Sequence, residues 1–174
     1  DDEACLAAIR NAAPDLVLVD IQRDQVEAVR TIVGPFQRSA PPLLPLLRGR
    51  VVGVAGARVT LDTAEDVRRQ GELGREYGLT FRDALADNER LIEGAFWTTR
   101  TDDPTVPLEV SIEERIRDEY DIGLGDTLRF DIAGRVVEAR VTSVRKVAWD
   151  EAQNGGFIFV FRPGPLIEQA PYTV

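Results

Sequence analysis

Along the middle of the chain the apolar positions change period, and each change predicts an element. From Thr127 to Ile132 they alternate, with Leu128, Phe130 and Ile132 apolar and Thr127, Arg129 and Asp131 polar. Period two marks a strand with one face buried. Ala133-Gly134 then offers a two-residue reversal, Gly supplying a left-handed position. If 132 faces 135, then 130 faces 137 and 128 faces 139. Leu128, Phe130, Val137, Ala139 and Val141 then share one face. Arg129 lies opposite Glu138, an exposed pair worth about 0 to 1 kcal/mol, more useful to register than to stability. Upstream, Ser111 with Glu114 three residues later reads as a capping box. Ile112, Ile116 and Tyr120, four apart, make one narrow helical stripe. Gly123 and Gly125 follow where a chain leaving a helix needs positive φ, and Asp126 can close the turn with its carboxylate. The stretch 109–147 is therefore predicted to be helix, glycine turn and hairpin in one packed unit.

The flanks are patterned less tightly. Residues 4–13 have helical composition and read as the end of a longer helix, broken by Pro14; 16–21, LVLVDI, reads as a buried strand. Asp24 with Glu27 predicts a helix whose stripe is Val26, Val29, Ile32 and Val33, ending at Gly34-Pro35. After a proline-rich connection, 50–55 resumes as a strand, and the helical crossover favours parallel pairing of the two strands. Thr63 caps a short polar helix with Glu65 and Asp66 in its first turn and Arg68 and Arg69 later, matching the helix dipole. Residues 75–81 read as a strand, 83–91 as loop and turn, 92–97 as extended, and 98–107 as loop. Residues 144–149 extend the hairpin, 154–156 turn, and 157–161 form a strand covered on both faces before a short terminal helix.

Composition narrows the chemistry. The 174 residues suffice for one domain or two small subdomains. With 21 basic and 30 acidic residues the net charge is −9, which argues against a nucleic-acid partner, since phosphate binding needs a concentrated positive patch. No apolar run approaches the ~20 residues of a membrane helix, and there is no signal-peptide pattern. The sequence contains no methionine and reads as a piece of something longer. Its one cysteine, Cys5, reads as a small apolar residue, with a reactive or lipidated thiol as the alternative. There is no histidine, which removes Ser-His-Asp and Cys-His catalysis and imidazole-based zinc sites together.

Carboxylates are the remaining catalytic candidates. Asp118, Glu119 and Asp121 cluster, as do Asp102 and Asp103, and paired acids can share acid and base work. A solvated helix end and a polar loop are the favoured readings, and neither cluster has the order of a calcium loop. Gly123 to Asp126 is turn chemistry rather than a phosphate-binding fingerprint. No residue earns a catalytic, cofactor or metal assignment. Trp97, Trp149 and Phe157 are the candidate partner contacts, with a role in the core or at its rim as the competing reading.

Ser111 to Glu114, Gly123, Gly125 to Ile132, Gly134, Ser143 to Val147 and Trp149-Asp150 occur in an order that resembles a known family. It is the extracytoplasmic domain of YbbP-type ABC transporter permeases, within the MacB/FtsX group. DIQRDQVEAVR at 20–30, REYGLTFRD at 75–83 and EGAFW at 93–97 are similar to it as well, so the resemblance spans nearly the whole chain. One departure is Asn154-Gly155-Gly156-Phe157, where family members run from Asn directly into paired aromatics.

The resemblance implies an α+β, MacB-like periplasmic core. Residues 1–57 and 151–174 would form a porter-like α/β part, a β-α-β unit with a returning strand, and 58–150 an inserted lobe of strands and helices. It further implies a non-catalytic domain of a membrane-anchored protein, held between the first two transmembrane helices. A separate cytoplasmic ABC ATPase would drive it by mechanotransmission. An esterase- or lipase-like partner and lipidic or hydrophobic substrates are implied by the same family. The rival readings are a small carboxylate-dependent hydrolase and a free-standing binding module.

Overall fold

Runs of alternating burial build most of the molecule. The computed structural model describes residues 18–37, 40, 43–151, 156–170 and 172–174. The strands are β1 (Leu47–Ala55), β2 (Thr60–Leu61), β3 (Glu76–Phe81), β4 (Glu89–Gly94), β5 (Leu108–Glu113), β6 (Thr127–Ile132), β7 (Arg135–Val147) and β8 (Phe159–Phe161). The helices are short: α1 (Val26–Val33), α2 (Ala64–Arg68), α3 (Glu114–Tyr120) and α4 (Pro165–Glu168). The fold is mixed α/β, strand-rich, with a small helical share.

Six of the strands close on themselves. Going round, β1 pairs with β3, β3 with β8, β8 with β5, β5 with β7, β7 with β6, and β6 with β1. The β3/β8 and β5/β7 pairs are parallel and the other four antiparallel. Closure leaves the ring strands without the open edges of a flat sheet. Two short strands extend it, β2 beside the end of β1 and β4 beside the end of β7. Inside, Phe130 meets Phe159 and Phe161 edge to face, each at 5.1 Å, among Leu47, Val51, Leu79, Val110, Leu128 and Val141. Ile116 of α3, Val67 of α2 and Ile167 of α4 bury into the same core.

The hairpin forms in the expected register, Ile132 facing Arg135, Phe130 facing Val137 and Leu128 facing Ala139. Ala133 and Gly134 both take positive φ, 53° and 82°, the reversal whose twist suits paired strands. Arg129 does face Glu138 in the ladder, but it does not pair with it. Its guanidinium crosses Gly53, where a Cβ would stand 2.2 Å away, and donates to the Asp62 carbonyl at 2.5 Å. A fixed backbone acceptor asks less ordering entropy than a second flexible side chain.

Several boundaries differ from the sequence reading. Ser111 caps no helix: it is fully buried in β5 between Val110 and Ile112, and α3 begins at Glu114. Glu113 is the cap, its carboxylate accepting from the Arg115 N–H at 3.0 Å. A run of buried residues flanked by β7 and β8 satisfies strand geometry first, and the helix starts only where that cover ends. Asp121, not Gly123, takes the left-handed position after α3, with φ 57°; Gly125 has φ 88° as expected. Asp126 closes the turn, accepting from the Gly123 and Ala57 N–H groups, both at 2.9 Å.

Thr63 caps α2 as predicted, and the structure adds a reciprocal bond from Asp66, which completes a capping box. Upstream of α1 the cap is Gln22 with Gln25 rather than Asp24, which lies within a 3-10 turn. The loop assigned to 83–91 ends early, since β4 already starts at Glu89; buried pairing of Glu89 overrides its polar composition. β7 stops at Val147, and Trp149 sits in a 3-10 turn. No strand runs through 18–21, whose residues 18–20 are exposed. Ile21 instead exchanges two backbone hydrogen bonds with Val174, each 3.0 Å. The first strand of the expected β-α-β unit is therefore missing from 18–21, and β1 neighbours β2, β3 and β6 instead. Residues 4–13, Cys5, Pro14, 16–17 and 154–155 lie outside the described residues.

Candidate functional site

Apart from Glu119, which is exposed, the acidic clusters are occupied by arginines and hydroxyls. Asp118 accepts from Arg117 Nε at 2.7 Å, and Arg117 also binds Glu93 through Nη1. That hydrogen bond from Arg117 holds the Asp118 carboxyl below the ordinary carboxylate range. Asp121 accepts from Arg58 at 2.6 Å. In the 98–107 loop, Asp102 accepts from Arg100 at 2.9 Å, and Asp103 from the Thr105 hydroxyl at 2.6 Å and N–H at 2.9 Å, which lowers its pKa. A general acid working near neutral pH needs a raised value in a desolvated setting. Asp103 and Asp118 are shifted the other way and face solvent. Among the described residues no three Cys, Asp or Glu side chains gather as a metal site.

The aromatic candidates divide. Trp97 and Phe157 come together with Val160 in a small cluster on the outer side of β8, packed by Leu44, Leu46 and Phe96. Trp97 stacks on Phe96 at 4.3 Å and donates its indole N–H to the Arg82 carbonyl at 2.6 Å. Trp149 stands apart with 40% of its surface exposed. The Arg115 guanidinium lies 5.1 Å from its ring centre, and Gly156 leaves room for the ring, since a Cβ there would stand 2.2 Å from it. Of the three, Trp149 is the one that offers ring area to a partner.

Sequence reasoning missed a buried polar centre. Arg145 of β7 is wholly buried and donates to Glu89 at 2.5 Å, to the Ser111 hydroxyl at 2.9 Å, and to the Phe157 and Ile158 carbonyls at 3.1 and 3.2 Å. The other oxygen of Glu89 accepts from Arg82 at 2.5 Å and from the Ala86 N–H at 3.2 Å. Ser143 donates to Ser111 at 2.7 Å. Burial pushes Arg145 down to about 10, opposed by the Glu89 charge, so it remains cationic at neutral pH. The centre ties β4, β5 and β7 to the approach to β8. Its one sequence signal is parity: Ser143 and Arg145 continue the 137, 139, 141 alternation of the hairpin's buried face, so polar side chains stand where that pattern calls for apolar ones.

No family model and no solved structure matches the chain. It is similar to an uncharacterized ABC transporter permease, YbbP, of Escherichia coli K12, with 28% identity over 154 residues. The similarity covers 88% of this chain and 17% of that protein. No helix among the described residues is long and apolar enough to cross a membrane.

Proposed function

We propose that this chain is the non-catalytic, extracytoplasmic domain of an ABC transporter permease in the MacB/FtsX group. The similarity to a permease along 88% of the chain carries this reading, and a transport-related role rests on it. In this reading a cytoplasmic ATPase subunit supplies the energy, and the domain passes movement outward by mechanotransmission to a lipidic or hydrophobic substrate or an esterase-like partner. In the same reading 1–57 and 151–174 are assigned to the porter-like part and 58–150 to the lobe, with β1 and β8 pairing across that division into the one ring. The continuous hydrogen-bonded ring supports that role, because a displacement of β8 is felt in β3 and β5 alike. Trp149 is the contact residue proposed for a partner, with Trp97 and Phe157 bracing the surface beside β8. The hydrolase reading has no raised carboxyl among Asp103 and Asp118 to support it.

Placement is tested in the full-length gene product. Val136, 58% exposed near the hairpin tip, is replaced by Cys and intact cells are treated with a membrane-impermeant maleimide. Labelling without lysis is expected. Labelling only after lysis overturns the extracytoplasmic assignment.

A further inference from the structure

Outside the barrel, where β5 and β7 lie side by side, an open groove of about 480 Å³ is lined by Val106, Pro107, Leu124, Arg140, Thr142 and the Glu109–Arg162 pair. That volume falls in the range of small-molecule sites, roughly 300 to 1,000 Å³. Its walls are apolar, and Leu124 leaves 47% of its surface in solvent there. Its charges are unequal. Glu109 is neutralised by Arg162 at 2.5 Å, and Arg162 Nε is tied to the Thr99 carbonyl at 3.0 Å. Arg140 has no carboxylate within ion-pair distance among the described residues, and its guanidinium lies 3.9 Å from where a Cβ on Gly125 would stand, at the groove wall. Beside it, the Thr142 hydroxyl is shielded from water and has no hydrogen-bond partner. Thr142 is itself one of the residues that line the groove.

We infer that this groove binds a small organic anion, an apolar group bearing a carboxylate or phosphate. The anion sits on the Arg140 guanidinium, where two parallel N–H donors match two anionic oxygens. The apolar group lies against Leu124, Val106 and Pro107, and the Thr142 hydroxyl gains the partner it lacks. In a chain of net charge −9, an unpaired cation between apolar walls is a local inversion that favours anions over cations. The site is independent of the permease reading, because it needs no membrane segment and no ATPase.

The test is an amide NMR titration of the 174-residue chain with N-acetyl-leucine, butyl phosphate and the neutral N-acetyl-leucinamide. Saturable shifts at Leu124, Gly125, Arg140 and Thr142 are expected with one or both anions, and the stronger of the two identifies the head group. Arg140→Gln should weaken binding about tenfold or more. Thr142→Val should weaken it less, and Arg135→Gln, at the hairpin tip, not at all. Equal binding of the neutral amide, undiminished binding by Arg140→Gln, or no saturable shift at these amides each overturns the inference.

Discussion

Residues 18–37 and the barrel are both patterned with apolar residues at regular spacing, yet only the barrel buries them. The predicted stripe Val26, Val29, Ile32 and Val33 is present on α1, but α1 contains no buried residue. Ile32 and Phe36 are 68% and 88% exposed. In the barrel every ring strand has a neighbour on each side, and Leu128, Phe130 and Ile132 are buried, Phe130 beneath Phe159 and Phe161 from far along the chain. Periodicity specifies which face of an element is apolar. Whether that face is covered depends on what the chain brings to it, and here closure of the ring does so.

The sharpest way to break this contrast is from the buried charges outward. Glu89→Ala removes the shared acceptor of Arg145 and Arg82 and strands a buried cation, so it should cost about 3–5 kcal/mol in urea unfolding. Glu89→Gln, which keeps an acceptor, should lose less. Next, Asp126→Ala removes two hydrogen bonds to a carboxylate at the turn into β6, for an expected loss of about 1.5–3 kcal/mol. Thr63→Ala, at the cap of α2, should cost about 1 kcal/mol.

The same cap gives a pH signature. Hydrogen bonds from Thr63 hold the Asp66 carboxyl below its ordinary range. A depressed folded pKa contributes stability that is complete above the unfolded value, near 4, and lost as pH falls through the folded one. In Thr63→Ala the Asp66 titration, followed by carboxyl NMR, should move back up. The smallest effect is expected in the leading segment, where Ile32→Ser with Phe36→Ser should change the unfolding free energy of this chain by about 0.5 kcal/mol or less. A large loss there would mean that the face of α1 is covered after all.

What could be read from the sequence was local and periodic. The hairpin, its register, the Asp126 turn and the Thr63 cap each rest on residues a few positions apart, and each formed. Ser111 failed as a cap because its hydroxyl is used by Ser143 and Arg145, 32 and 34 residues away. Glu89 failed as loop for the same reason, since its partner Arg145 is 56 residues away. Ring closure was not legible either: it depends on β8 entering between β3 and β5, a pairing that no turn motif announces. Of the candidate contacts, the sequence marked the large aromatics, but only packing separated exposed Trp149 from buried Trp97 and Phe157.

The position of β8 also sets an order of assembly during synthesis. It is the last ring strand made, and it is inserted between two strands made much earlier. Until Phe161 has left the ribosome, β3 and β5 each lack one neighbour, and Phe130 lacks both of its aromatic partners. From the completion of β7 at Val147 until β8 follows at Phe159, the ring strands already made can form only an unclosed sheet with two unpaired edges, β3 and β5, the state most open to association with other chains. Pairing of three residues, Phe159, Val160 and Phe161, with both edges closes the ring.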